Sequence, residues 1–205
     1  MRFLYVLDPM CAWCYGFQPE LEEFLSKHPS VEVDWVMGGL APDNKQPMEP
    51  SLMQTIASYW HQIEQRTQVT FNHDYWELNT PYRSTYHACR AVIAAQSLKD
   101  KCAQLMVRAI QSAYYQQAQN PSLEETLVAC ANSLGLEKSQ FLAVLNSNET
   151  ESQLQQHLDI TRQLQVSGFP ALFYISDANQ LFPLALGFCQ AEDLDERFNK
   201  VIAGS

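Results

Sequence analysis

Residues 3–14 read FLYVLDPMCAWC, and this stretch decides the fold. The five apolar residues Phe3–Leu7 predict a central β-strand that is buried on both faces. Cys11 and Cys14 follow where that strand gives way to a helix, and two thiols at this spacing can cycle between dithiol and disulfide. The free N–H groups and positive dipole end of a helix N-terminus stabilise a thiolate, which is the attacking species in disulfide exchange.

The residues after the cysteine pair complete a β-α-β unit. Apolar residues at helical spacing predict a helix from about residue 12 to residue 27, kinked at Pro19. Val31–Trp35 then alternates apolar and acidic residues, which predicts a second strand near a sheet edge. Gly38 and Gly39 end that strand, and the connection is expected to be right-handed.

A long helical block interrupts the sheet-forming segments. Its periodicity is mostly helical from Ser51 to about Val166, with a capping box predicted at Ser122–Glu125 and a helix end at Gly135. We predict an all-helical inserted domain at 46–164 within an α/β domain built from 1–45 and 165–205.

Strand character returns near the C-terminus. Ala171–Ile175 and Leu181–Phe188 predict a hairpin, and Pro183 assigns its second strand to a sheet edge. A last helix is predicted at 191–203. The sheet is therefore expected to be small and mixed, with the first strand central and helices on both faces.

Composition narrows the class of protein. The 205 residues are 46% hydrophobic with a net charge of −10 and no basic stripe, so we expect neither nucleic acid nor a membrane as a partner. The N-terminus lacks the ~7–15 apolar residues of a secretory signal, which predicts a cytoplasmic protein if residue 1 is the natural start. Six cysteines in this length do not indicate a disulfide scaffold, so the other four are expected to be free thiols. Of these, Cys189 lies beyond the last predicted strand and is the candidate for an exposed thiol.

This layout resembles the thioredoxin fold, and the helical insertion resembles its DsbA-like branch. More narrowly, Asp8–Phe17 is similar to the active site of the FrnE-like group of cytoplasmic predicted disulfide isomerases. Pro19, the loop Ser167–Pro170 and Gly187 also match positions of the family's kinked helix, cis-proline loop and last strand. The resemblance implies a small mixed four-stranded sheet flanked by helices, with a large helical insertion. The Ala12-Trp13 dipeptide is neither that of thioredoxin nor that of DsbA, so neither protein's redox potential transfers.

The resemblance and the residues together predict a thiol–disulfide oxidoreductase, a protein disulfide reductase or isomerase. Cys11 is the candidate nucleophile and Cys14 the resolving thiol. A cis bond at Pro170 would bring Phe169 against Cys11 and let its backbone pair with an extended substrate. Trp13 is expected to be a partly exposed substrate contact.

Several assignments have a structural alternative. Asp8 is a candidate proton acceptor for Cys14, and equally a turn or capping residue before Pro9. His87 beside Cys89 is more typical of a helix-surface histidine next to a buried thiol than of a metal ligand. One aromatic group either packs the helical block or lines a groove facing Cys11: Phe71, Tyr75, Trp76, Tyr82 and Tyr86.

The Cys11–Cys14 motif also bears on cofactors, metals and alternative functions. No second C-x-x-C or paired histidines complete a zinc site, so we predict no metal and no bound cofactor. Expected partners are protein or peptide thiols and disulfides, with a thioredoxin- or glutathione-type electron donor. One alternative is a glutathione-dependent isomerase or transferase on small electrophiles, whose families use serine at the equivalent of Cys11 and lack the second thiol. The other alternative is a non-enzymatic peptide-binding or chaperone module.

Overall fold

The computed structural model describes residues 2–204, which form four strands and nine α-helices. In chain order they are β1 (Arg2–Leu7), α1 (Ala12–Ser26), β2 (Glu32–Met37), α2 (Pro50–Thr67), α3 (Tyr75–Leu78), α4 (Tyr86–Leu98), α5 (Cys102–Gln111), α6 (Glu124–Ser133), α7 (Lys138–Leu145), α8 (Asn148–Gln163), β3 (Ala171–Ile175), β4 (Leu181–Leu186) and α9 (Ala191–Ala203).

The four strands form one mixed sheet in the order β2-β1-β3-β4. β1 pairs in parallel with β2 and antiparallel with β3, and β3 pairs antiparallel with β4. This confirms the predicted sheet, with β1 inside it and β2 and β4 at the edges. β4 ends at Leu186, two residues before the predicted end, and Pro183 lies in this edge strand beside a register irregularity at Leu172 and Phe173.

The sheet is covered on both faces because successive side chains of β1 point in opposite directions. On one face, the ring of Phe3 lies 5.1 Å from that of Phe24 in α1 and 5.4 Å from that of Phe198 in α9. On the other face, Val6 belongs to a smaller cluster against which Ile160 of α8 packs. Packing on both faces therefore holds β1 in place. Residues 8–11, here called the cysteine loop, follow its last residue.

The helical insertion differs from the sequence expectation in its details. Ser122 does not cap α6; its hydroxyl donates a hydrogen bond to the Ser84 carbonyl oxygen, and α6 begins at Glu124. The capping-box prediction was therefore wrong, because a tertiary partner holds the hydroxyl. Gly135, with a φ of +77°, lies just beyond the end of α6 as predicted. A π-helical turn at Ser112–Gln116 extends α5 and was not predicted.

Within residues 2–204, none of the helices combines the length and the apolar character that crossing a bilayer would need. The division into two domains at residues 45/46 and 164/165 stays a prediction.

Candidate active site

Cys11 occupies the N-cap of α1. Its backbone is extended, with φ −84° and ψ 115°, and its carbonyl oxygen accepts a hydrogen bond from the N–H of Tyr15 over 3.1 Å. Its own N–H donates to the carbonyl oxygen of Asp8 over 3.0 Å, which closes the turn between β1 and α1. Cys14 lies one helical turn further in and is 1% exposed, against 7% for Cys11. Cys11 is thus the outer thiol of the pair and Cys14 the inner one.

The loop before β3 lies against Cys11. The Phe169–Pro170 peptide bond is cis, as the resemblance implied. The Cys11 thiol lies 3.8 Å from the Phe169 carbonyl oxygen, to which it donates a hydrogen bond. The structure therefore brings Cys11, Phe169 and Pro170 together from two segments 158 residues apart.

A glycine beneath this loop escaped the sequence analysis. Gly38, just beyond β2, lies directly under the ring of Phe169, and a Cβ atom there would stand 2.1 Å from Cε1 of that ring. Only a glycine admits this close approach. The signal available in the sequence was the Gly38-Gly39 pair, which we interpreted only as the end of a strand.

Asp8 is fully buried and its carboxylate is surrounded by donors. Oδ1 accepts the N–H of Met10 over 2.8 Å, while Oδ2 accepts the N–H of Leu40 and the hydroxyl of Thr85, each over 2.6 Å. The Cys89 thiol donates to Oδ2 over 3.5 Å. Burial raises the pKa of Asp8 above its usual range, although the donated hydrogen bonds oppose that shift. Through these hydrogen bonds the carboxylate links the cysteine loop to Thr85, just before α4. It also lies close to the thiols of Cys14 and Cys89.

The surroundings of Cys14 and Cys89 raise the pKa of both thiols. Burial raises the pKa of Cys14 well above its usual range, and the neighbouring Cys11 and the Asp8 charge add to that shift. Burial and the nearby Asp8 charge raise the pKa of Cys89 in the same direction. Sequence reasoning missed this third thiol beside Asp8, because Cys89 comes 81 positions later in the chain.

An apolar groove of about 360 Å³ opens beside Cys11. Trp13 lies on its rim, half-buried, with its ring 6.0 Å from that of Phe188. The opposite wall is the face of α2 that carries Ile56 and Tyr59, of which Tyr59 is 49% exposed. The groove therefore offers apolar surface next to the outer thiol.

The aromatic group of the sequence analysis divides between two places. Phe71, Tyr75 and Trp76 pack against Trp60 in the helical block. Tyr82 lines the groove facing Cys11, and Tyr86 packs beside Gly39. Both interpretations are therefore correct, for different members of the group.

The remaining cysteines are buried free thiols. Cys189 is 8% exposed, so the expectation of an exposed thiol there was wrong. Burial raises the pKa of Cys189, and it raises that of Cys130 to about 11. His87 is partly buried, and desolvation lowers its pKa.

Comparison with known proteins identifies the fold. Residues 4–197 match a family model described as a DSBA-like thioredoxin domain. A provisionally assigned protein disulfide isomerase from Nitrosomonas europaea has a TM-score of 0.86 at 24% identity, covering 98% of this chain and 97% of that one. The cytosolic disulfide reductase DsbM from Pseudomonas aeruginosa has a TM-score of 0.82 at 24% identity, with 100% of both chains covered.

The curated proteins that are similar in sequence are named as adapters and not as disulfide reductases or isomerases. The ClpXP adapter protein SpxH of Halalkalibacterium halodurans is 21% identical over 83% of this chain. The match covers 57% of that protein, so the chain spans little more than half the length of this relative. At these identities the solved structures establish a shared fold.

Proposed function

This chain belongs to the family of DSBA-like thioredoxin domains, and from that membership we propose that it is a thiol–disulfide oxidoreductase working through the Cys11–Cys14 pair. One observation carries the proposal. An outer thiol at the N-cap of α1 lies one turn from an inner thiol and 3.8 Å from the Phe169 carbonyl oxygen. This arrangement suits attack on a disulfide by the outer sulfur and resolution by the inner one.

The reaction exchanges two electrons in two steps. The Cys11 thiolate attacks one sulfur of a substrate disulfide, forms a mixed disulfide and releases the other substrate sulfur as a thiolate. Cys14 then attacks the Cys11 sulfur and releases the second substrate thiolate. Both leaving thiolates take up protons, so the substrate is reduced to two thiols and the enzyme is oxidised to the Cys11–Cys14 disulfide. The reverse sequence oxidises a substrate dithiol.

The second step needs a base, because burial raises the pKa of Cys14 and so favours its protonated form. We propose Asp8 as the proton acceptor. Its raised pKa makes it a stronger base than an ordinary carboxylate, and its charge acts on Cys14. The same carboxylate also holds the cysteine loop through the N–H groups of Met10 and Leu40, so the two roles assigned to it from the sequence are compatible.

We propose peptide segments as the substrates. Trp13 and the Phe169–Pro170 loop border an apolar groove that opens next to Cys11. An extended segment with apolar side chains beside its disulfide would fit there, with its backbone paired to that of Phe169. Turnover requires an electron donor, for which a thioredoxin-type protein or glutathione is the proposed class, and the cytosolic assignment of the similar DsbM supports a cytoplasmic location.

Trapping the intermediate tests this proposal. In Cys14→Ser, the Cys11 mixed disulfide with a peptide substrate should accumulate, because no resolving thiol remains. Cys11→Ser should form no adduct, whereas Cys130→Ser, on α6, should behave like the wild type. Mass spectrometry of the intact protein distinguishes these outcomes. A Cys14→Ser variant that forms no adduct, or one bonded through another cysteine, would refute the assignment.

A binding module is the second candidate, favoured by the adapter name of the curated relatives and by the exposed apolar groove. The Cys11→Ser variant separates the two functions. An adapter would keep its affinity for a peptide or protein partner in that variant, whereas an oxidoreductase would lose turnover while remaining folded.

A further inference from the structure

A second cluster of reactive side chains lies on the helical insertion. His61 and Glu64 are three residues apart on α2, and His73 lies in the segment that follows this helix. His61 Nδ1 is 3.3 Å from Glu64 Oε2, and His73 Nε2 is 3.1 Å from the same oxygen. The two imidazole rings stack with their centroids 4.1 Å apart. Three ligand-type atoms thus converge within 4.8 Å of one another.

We propose that His61, Glu64 and His73 bind a divalent transition-metal ion, with Zn²⁺ as the ion of matching preference. Two imidazole nitrogens and one carboxylate oxygen are a ligand set that zinc uses in proteins. Ligands about 2.1 Å from a tetrahedral ion stand roughly 3.3–3.4 Å apart. The two nitrogen–oxygen separations, 3.3 and 3.1 Å, are close to that spacing, and binding requires the two stacked rings, now 13° from parallel, to turn so that both nitrogens face one ion.

The surroundings of Glu64 prepare it as a ligand. Its Oε1 accepts the N–H of Phe71 over 2.8 Å, which orients the carboxylate from outside the ligand set. The His61 side chain is 62% exposed, so an ion can enter from solvent and a water molecule can fill the fourth position.

The site would connect two parts of the insertion. An ion held by α2 and by His73 ties the segment that follows the helix to the helix itself. That segment also contacts α1, since the hydroxyl of Tyr15 donates to the Thr70 carbonyl oxygen over 3.1 Å. Metal binding is therefore expected to stabilise the folded protein next to α1, independently of the redox function.

Titration with Zn²⁺ tests the site directly. The full chain without an affinity tag carries Cys11→Ser and Cys14→Ser, because the free pair would itself bind zinc. In this background, calorimetry should show one ion bound per chain. His61→Gln, Glu64→Gln and His73→Gln should each weaken binding roughly tenfold or more, since even indirect metal contacts are worth ~10–100-fold. His87→Gln removes a histidine outside the cluster and should leave binding unchanged.

Thermal unfolding gives a second readout. Zinc should raise the melting temperature of the background protein and not that of His73→Gln, because only the folded site binds the ion. Because His61 is exposed, His61→Gln keeps the test valid if His73→Gln fails to fold. No binding at 100-fold excess ion, or equal affinity in the background and in His61→Gln and Glu64→Gln, would overturn the proposal.

Discussion

Replacing Gly38 with alanine tests how the Phe169–Pro170 loop beside Cys11 is supported. The new Cβ would lie 2.1 Å from Cε1 and 2.3 Å from Cζ of the Phe169 ring. Ordinary contact begins near 3.4 Å, so the half-buried ring of Phe169 must retreat by the difference, about 1.3 Å. Phe169 directly precedes Pro170, and its carbonyl oxygen lies against the Cys11 sulfur. The displacement should therefore reach the sulfur of Cys11, the proposed nucleophile.

The magnitude follows from that displacement. A misplacement of about 1 Å can cost ~10²-fold in rate, so we expect peptide disulfide reduction by Gly38→Ala to slow roughly 10- to 100-fold. Overpacking should lower the free energy of unfolding by about 1–3 kcal/mol. Single-turnover rates with a fluorogenic peptide disulfide measure the first effect, and urea titration measures the second.

Gly168→Ala is the matched control. It lies next to Phe169 in the chain, yet a Cβ there would meet no atom within 4 Å. Its rate should equal that of the wild type. If Gly38→Ala reacts at the wild-type rate, or if Gly168→Ala is slowed equally, the reasoning is refuted.

Three further predictions concern buried groups. Because the pKa of Asp8 is raised, the folded state binds the Asp8 proton more tightly than the unfolded state does. The stabilisation from this proton is present below pH 3.8 and is lost as pH rises through the raised pKa. Urea titrations across this range should show the unfolding free energy of the wild type falling relative to that of Asp8→Asn, and parallel curves would contradict this. Phe3→Ala should cost about 3–5 kcal/mol, measured by denaturation, since this ring is fully buried among those of Phe24 and Phe198; a cost below about 1 kcal/mol would be inconsistent with that packing. Iodoacetamide at neutral pH should label Cys11 before Cys14, whose pKa is raised by burial, and peptide mapping that finds the reverse order would exchange their roles.

Local patterns were sufficient to predict the framework of the fold. The apolar run Phe3–Leu7 became the inner strand β1, and the helix expected at residues 12–27 became α1 at Ala12–Ser26. Pro183 correctly assigned the last strand to an edge, because proline lacks the N–H that an inner strand must donate. These features depend on the spacing of apolar residues along the chain and on the backbone chemistry of proline, both of which can be read from neighbouring residues.

The features that were missed depend on contacts between distant segments. Ser122 had the sequence of a cap, yet its hydroxyl is held by Ser84. Cys89 was interpreted as core, and only the fold places it against Asp8. His61 and His73 have no metal-binding spacing along the chain, and they meet because the segment after α2 returns to that helix. Contacts between segments that are distant in the chain leave no local sequence pattern from which they could be predicted.

The measurement that tests the central claim most directly is a redox titration in glutathione buffers, with alkylation and mass spectrometry to map each thiol. We predict that Cys11 and Cys14 titrate together as one two-electron couple while the four other cysteines stay reduced. A potential of about −270 mV would then indicate a thioredoxin-like reductase, and one of about −120 mV a DsbA-like oxidant. If Cys11 and Cys14 never form an intramolecular disulfide at any buffer potential, the redox function proposed here is contradicted.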